Sequence, residues 1–471
     1  MKFKRIITAA ILALSFSTAP IVSMPDKQIS TAYAAEYIDD LITDDGFECE
    51  LYGSFVLVKN EKTGKYEETI KYSYVDISSY SGTDAIITIP EKINDLPVKN
   101  INLSKCNTIV SVDFDSNSTI SSISDNAFSD CQNLQSIELP QSLKIIGQRA
   151  FANCSKLSAI DIPDSVVSIG SYAFKSCSSI KTITLPPKLT TLEDGTLSGC
   201  STLLSVTFNN KLTSIGVNTF ADCGNLLSVD IPDSVLTIGE NAFQDCTALS
   251  SVKLPKNLSA IKDYLFWGCT HLVSIDIPEN VISIGRNAFD SCESLREIQL
   301  PANLNSIGNY VFTECGSLTS VVIPNNITTI PERAFAHCTS LKSVIIPDSV
   351  TTIKALAFYG TGLDSVEIPS SVKSIEREAF NYVSTIYGHK GTEAETYAHN
   401  YGIDFVDLDA PVTGDCNEDG EFSVADVILL QKWILADKDT TLKNWKVADI
   451  CEDNVLDVFD LIGMKQLLIK K

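Results

Sequence analysis

Two acidic loops near the C-terminus carry the residues best suited to chemistry. One reads Asp415-Cys-Asn417-Glu-Asp419-Gly420-Glu421-Phe-Ser423-Val-Ala-Asp426; the other, 34 residues on, reads Asp449-Ile-Cys451-Glu-Asp453-Asn454-Val455-Leu-Asp457-Val-Phe-Asp460. Oxygen ligands at loop positions 1, 3, 5, 9 and 12, with the backbone carbonyl of position 7, describe a calcium site. The first loop supplies Asp415, Asn417, Asp419, Glu421, Ser423 and Asp426, and the second Asp449, Asp453, Val455, Asp457 and Asp460. Asp, Asn and Gly also make acidic turns for backbone reasons alone, but duplication in register argues for a pair of ion sites. Position 3 of the second loop is Cys451, a soft ligand poorly matched to calcium. Position 6 is Asn454, which tolerates the left-handed turn that Gly420 makes in the first loop. Two calcium ions are expected, the second held more weakly.

Each loop runs into an apolar helix. Val424, Val427, Leu430 and Ile434 fall on one face, and Val458, Leu461, Met464 and Leu468 repeat that face under the 34-residue shift. Both loops end in Asp where an EF-hand has Glu, and each has only one following helix. On these residues, together with Gly414-Asp415, Val424-Ala425-Asp426-Val427, Ala448-Asp449 and Val458-Phe459-Asp460-Leu461, the stretch 415–471 resembles a type I dockerin. The resemblance implies a small all-α, calcium-binding module with paired EF-hand-like loops that plugs into a cohesin domain of a cellulosomal scaffoldin. It places the cohesin contact on Val424, Ala425, Gln431 and Lys432 in one half and on Val458, Phe459, Lys465 and Gln466 in the other. Small Val-Ala opposes bulky Val-Phe, so one preferred docking orientation is expected. Paired loops of this type lie side by side, which further implies a disulfide between Cys416 and Cys451. Calcium is expected to be needed for folding, because the clustered carboxylates repel one another until the ion arrives.

The N-terminus indicates the compartment. Lys2, Lys4 and Arg5 precede an apolar run from Ile6 to Phe16, and Ala32-Tyr33-Ala34 offers a cleavage site, so residues 1–34 read as a secretory signal peptide. The run is too short to span a bilayer, and no later stretch approaches the roughly 20 apolar residues required. The expected mature protein is secreted, extracellular, monomeric and without a membrane anchor. A net charge of −23 and a pI near 4.5 argue against nucleic acid and anionic membranes as partners.

The elements that carry these loops are dominated by an internal repeat. Ten cysteines, from Cys131 through Cys154, Cys177 and Cys200 to Cys338, are spaced 23 residues apart every time. A phenylalanine column keeps the same step from Phe128 to Phe358, with Leu197 as its substitute, and a proline column runs from Pro140 to Pro369, broken once by Asn209. Such a unit cannot bury its apolar face alone and must stack into a solenoid. Segments such as Leu157-Ser-Ala-Ile160-Asp-Ile162-Pro163, with Ala173-Phe174 and Cys177, resemble leucine-rich repeats of the BspA-like bacterial subclass. An α/β leucine-rich-repeat solenoid is therefore expected over 85–380, with one parallel sheet and about eleven coils. A β cap is placed at 35–84, an αβ cap at 381–408 and a linker at 409–414. Residues stacked in register lie about 4.8 Å apart with parallel Cβ directions, unsuited to disulfides, so the ten cysteines read as buried reduced thiols.

No catalytic constellation emerges. The four histidines occupy unrelated positions, and no nucleophile elbow, phosphate loop or zinc-spaced pair occurs. The exposed strand slot holds Glu138, Asp161, Asp230, Lys253, Asp276 and Gln299, a solvated sheet face and the candidate surface for a protein or glycan ligand. The favoured function is a non-catalytic binding or adhesion protein docked on a cellulosome during polysaccharide degradation. A polysaccharide-degrading O-glycosyl hydrolase and a secreted inhibitor or regulatory partner are the alternatives.

Overall fold

The computed structural model describes residues 37–59 and 66–470, so the signal segment 1–34 lies outside the described residues. They fall into two compact units, one ending at Ser384 and the other beginning at Thr385.

In the first unit the 23-residue repeat winds into a three-sided coil that is hydrogen-bonded to its neighbours on every side. The first side is the expected parallel ladder: Thr182–Thr184 pairs with Ser205–Thr207, and Ser228–Asp230 with Ser251–Lys253. Inward residues such as Ile183 and Val229 are buried while Thr182, Thr184 and Asp230 face out. The second side, where no sheet was expected beyond the first, is itself a parallel ladder of two-residue strands, with Thr191–Leu192, Ser214–Ile215 and Thr237–Ile238 in register. The third side contains two left-handed residues four apart in each coil, for example Arg149 and Asn153 (φ 53° and 63°) and Tyr172 and Ser176 (60° and 56°). Left-handed geometry turns their N–H groups along the solenoid axis. Tyr172 N donates to Asp194 O at 2.8 Å and Ser176 N to Ser198 O at 2.7 Å, in the next coil.

Inside, like meets like. Consecutive phenylalanine rings of the column stack at centroid distances of 5.1 to 5.6 Å and nearly parallel, for example Phe128 on Phe151 with 1° between planes. All ten column cysteines are free and buried. Each thiol donates to a carbonyl of the preceding coil: Cys154 to Phe128 at 3.1 Å, Cys246 to Phe220 at 3.2 Å, Cys338 to Phe312 at 3.1 Å. The same phenylalanine carbonyl also accepts from the backbone N–H of its own coil's cysteine, as Phe220 O does from Cys223 N.

The solenoid has about 14 turns, more than the eleven anticipated. The extra turns escaped the count because early strands step by 25 residues: Ile86 pairs with Ser111 and Ser111 with Ser136. The N-terminal cap is the expected β structure, built from long strands. β1 (Tyr37–Ile42), β2 (Phe47–Lys59) and β3 (Tyr66–Tyr80) form an antiparallel meander, and β3 pairs in parallel with Leu96–Ile101. Gly53 does not end a strand. The register shifts between Tyr52 and Gly53, and a Cβ at Gly53 would lie 2.6 Å from Lys71 O, so glycine lets β2 continue against β3.

The second unit holds Thr385–Gly388 paired in parallel with Asp404–Asp407, separated by α1 (Glu393–Tyr401), then α2 (Val424–Ile434) and α3 (Val458–Lys470). Thr392 sits at the N-cap of α1 but its hydroxyl donates to His389 O at 2.6 Å and does not cap the helix. No helix among the described residues is long and apolar enough to cross a membrane.

Two outcomes follow from this packing. Phe243→Ala removes a fully buried ring stacked on both sides and is expected to cost about 3–5 kcal/mol, read from the urea midpoint; a loss under about 1 kcal/mol would show that the column is not core. Burial pushes the Cys131 and Cys200 thiols up to about 12 from 9.0, and raises Cys177, Cys223, Cys246, Cys269 and Cys315 well above it. Unfolding in this window releases their protons, so the stabilisation is complete below pH 9.0 and is lost as pH rises toward 12. Urea midpoints measured across that range are expected to fall, and replacing three adjacent column cysteines by alanine to flatten the fall; an unchanged slope would refute the assignment.

Candidate functional site

The two acidic loops fold by the same hydrogen-bond scheme. In the first, Asp415 accepts from Asp419 N at 3.2 Å and Gly420 N at 2.9 Å, while Asp426 accepts from Asn417 N at 3.2 Å and Ser423 N at 2.8 Å. In the second, Asp449 accepts from Asp453 N at 3.2 Å and Asn454 N at 2.8 Å, while Asp460 accepts from Cys451 N at 3.0 Å and Asp457 N at 2.9 Å. Gly420 and Asn454 both take the left-handed turn, at φ 93° and 62°. Asp426 and Asp460 are fully buried. Asp426 has a further role as the third helical residue of α2, closing a capping box with Ser423.

The helices pack around one small core of Cys416, Phe422, Val427, Leu430, Ala448, Leu461 and Met464. Val424 and Val458, which share the spacing of the apolar face and were also placed at the expected cohesin contact, are 57% and 51% exposed and do not belong to that core. With them Ala425, Phe459, Gln431, Lys432, Lys465 and Gln466 are exposed, and Lys465 Nζ reaches Gln431 Oε1 at 3.5 Å. The reading of the sequence missed six more exposed apolar residues in register: Ile428 with Ile462, Trp433 with Leu467, and Leu435 with Ile469. The 34-residue shift that paired the loops was the signal that could have found them.

The Cys416–Cys451 disulfide is not formed. Both thiols are free, Cys416 buried and Cys451 exposed. Under the 34-residue shift Cys416 corresponds to Ile450 and Cys451 to Asn417, so the two are not equivalent and point to different environments. The Cys416 Sγ lies 3.4 Å from both Gly414 O and Asp426 O, to either of which it can donate, and burial pushes that thiol up to about 11.

The donor chemistry fits a hard cation better in the first loop than in the second. Asp415, Asn417, Asp419 and Asp426 offer oxygen, and no Lys or Arg among the described residues pairs with these carboxylates. In the second loop the exposed Cys451 takes the place of an oxygen donor. No group of three or more His, Cys, Asp or Glu side chains converges on a metal position among the described residues. Each loop turns its carboxylates onto its own amides.

On the solenoid, Glu138, Asp161, Asp230, Lys253, Asp276 and Gln299 all lie exposed on the first side of the coil, and of these Asp230 and Lys253 lie in paired strands. Asp230 and Lys253 face each other across adjacent strands and form an ion pair at 2.7 Å. The aromatic residues lie on the left-handed side, where Arg286 sits between Tyr264 and Tyr310 at 5.7 and 5.8 Å and Arg333 covers Tyr310 at 5.8 Å.

The comparisons with known proteins bear on the solenoid. The family model described as a BspA type leucine rich repeat region matches residues 98–227, 180–289, 213–312 and 259–387, together well over half of the chain. A leucine rich cell surface protein from Faecalibacterium prausnitzii is 30% identical, with 78% of this chain and 98% of that one covered and a TM-score of 0.51. A leucine-rich repeat protein from Bacteroides ovatus shares the fold at 24% identity and a TM-score of 0.61, covering 75% of this chain and 97% of its own. No curated protein matches. With its cysteine, phenylalanine and proline columns wound into a parallel ladder, the chain belongs to the BspA type leucine-rich repeat family.

Proposed function

We propose that this is an extracellular, non-catalytic binding or adhesion protein whose solenoid presents a ligand surface and whose C-terminal module docks onto a cohesin-type partner of a scaffold in a calcium-dependent way. The observation that carries the docking part is a duplicated apolar face. Val424 and Ile428 on one side of α2, with Leu435 just past its end, are exposed, and the residues 34 further on, Val458, Ile462 and Ile469 on α3, are exposed as well. A monomer gains nothing by repeating exposed large apolar residues in register, whereas a partner surface does. Phe459, 63% exposed where the first half has Ala425, makes the face asymmetric and supports one docking orientation.

Calcium supplies the charge that the loops lack. Asp415, Asn417, Asp419, Ser423, Asp426 and the Glu421 carbonyl would hold it in the first loop, and Asp449, Asp453, Asp457, Asp460 and the Val455 carbonyl in the second, more weakly. The buried Asp426 and Asp460 tie each loop to the first turn of its helix, so loop order and the position of the docking face are coupled. An extracellular setting is supported by the cell-surface description of the Faecalibacterium relative. The cellulosomal and polysaccharide-degrading context rests on the dockerin resemblance of the loops.

Binding of the full-length protein to a cohesin panel is expected to need calcium and to vanish in EDTA. Asp426→Ala with Asp460→Ala is expected to abolish it, and Ile428→Ala with Phe459→Ala to weaken it about tenfold or more, roughly 1.4 kcal/mol, with the helical signal retained. Cohesin binding that survives both EDTA and the paired aspartate variant would sink the proposal.

A further inference from the structure

One coil of the solenoid departs from its template, and a hollow opens there. Asn209 stands where the flanking coils have Pro186 and Pro232, and its amide donates to the carbonyls of Pro186 at 2.8 Å and Leu189 at 3.0 Å, which a proline cannot do. Just past the strand Ser205–Thr207 stands Phe208, where the flanking coils have Leu185 and Ile231. Leu185 and Ile231 are buried; Phe208 is only half-buried, with its edge against Phe220 at 6.1 Å. Val206 is half-buried as well, while Ile183 and Val229 on either side are buried. An aromatic ring and an aliphatic side chain thus come partly into the open at this coil.

The opposite wall carries a hydroxyl without a partner. In other coils the serine two residues past the proline donates to a carbonyl of the preceding coil: Ser142 to Ile120 at 2.7 Å, Ser165 to Leu143 at 2.5 Å, Ser349 to Ile327 at 2.8 Å and Ser371 to Val350 at 2.9 Å. Ser234 follows the broken coil, and its Oγ is buried with no hydrogen-bond partner. Buried hydroxyls are seldom left so, because the lost water contacts go unreplaced. Between these walls lies a hollow of about 590 Å³ whose lining includes Val206, Phe208, Asn210, Asp230, Asp233 and Ser234. That volume falls in the range of small-ligand sites.

Its charges cancel. Asp230 is paired with Lys253 at 2.7 Å and Asp233 with Lys256 at 3.2 Å, and Asp233 also accepts from Lys256 N at 3.1 Å. The site therefore offers fixed acceptors, an amide and a free hydroxyl around an aromatic and aliphatic patch, without net charge. A ring with a C–H face and a hydroxylated edge matches that arrangement; an ionised ligand does not. We propose that this hollow binds a neutral oligosaccharide, with Phe208 against a sugar face and Ser234, Asn210 and Asp233 on its hydroxyls. The proposal deepens the reading of the solenoid as the ligand-presenting part and is independent of the docking module.

The test titrates the full-length protein calorimetrically with cellotetraose, xylotetraose and mannotetraose, with trigalacturonate and a neutral peptide as comparison ligands. At least one neutral oligosaccharide is expected to bind. Phe208→Leu installs the residue type of Leu185, so the coil has a template for folding, and is expected to weaken binding about tenfold or more. Ser234→Ala is expected to weaken it about threefold to tenfold. The Asp426→Ala, Asp460→Ala chain is expected to bind sugar as before, which separates failure of this site from failure of the docking reading. Absence of binding to all three neutral sugars, preference for trigalacturonate or the peptide, or full affinity in a folded Phe208→Leu protein would each overturn the proposal.

Discussion

Hydrogen bonding from coil to coil on all three sides is the constraint on which the solenoid rests. Because each coil must sit in register on the last, a residue's chief neighbour in a column is its own counterpart one turn away, and side chains are selected for stacking on themselves. Phenylalanine does this by parallel rings. Cysteine does it differently: its thiol reaches back to the phenylalanine carbonyl, which already accepts a backbone N–H of its own coil. Each such carbonyl joins two coils, which is why a small, weakly polar donor suits this column better than alanine.

The same constraint explains which departures are tolerated and what they create. Leu197 interrupts the rings, and just past the next first-side strand Phe208 replaces an aliphatic residue, edge-on to Phe220, so the volume lost in one column returns in another. Asn209 replaces a proline and takes two carbonyls of the preceding coil in exchange. These substitutions fall within one coil and its boundary, and the adjoining coils keep their ladders. A solenoid confines such changes because each turn answers only to its neighbours. A surface feature can arise at one turn without loss of the fold.

How much was legible follows from which physics leaves a mark on residue type. Burial in a column does, so the cysteine, phenylalanine and proline spacing predicted the coil, the free thiols and the exposed strand slot. The left-handed positions leave little mark: Tyr172, Arg149 and Leu356 adopt φ near 50–60° as Asn218 does, because the N–H bond to the next coil holds them there. The second ladder was hidden for a similar reason, its strands being two residues long and too short for alternation to show. In α2, Val-Ala-Asp-Val-Ile-Leu-Leu is apolar nearly all round, so periodicity could not say whether Val424 or Ile428 faces the core. The cysteine pair failed on register alone, one residue separating the inward position of Cys416 from the outward one of Cys451.

The chain uses repetition in two opposed ways. In the solenoid many copies stack, no copy is indispensable, and divergence shows up as a local hollow in an otherwise regular wall. In the C-terminal module two copies share a single core, with Val427 and Leu430 from one and Leu461 and Met464 from the other, so buried positions cannot drift independently. The copies diverge inside and outside alike, with Leu430 against Met464 and Cys416 against Ile450 in or beside the core, and Ala425 against Phe459 and Asn417 against Cys451 nearer the surface. The buried carboxylates Asp426 and Asp460 are kept identical while their exposed neighbours differ, as expected if the two loops must hold one frame and the face built on that frame must fit a partner in one direction.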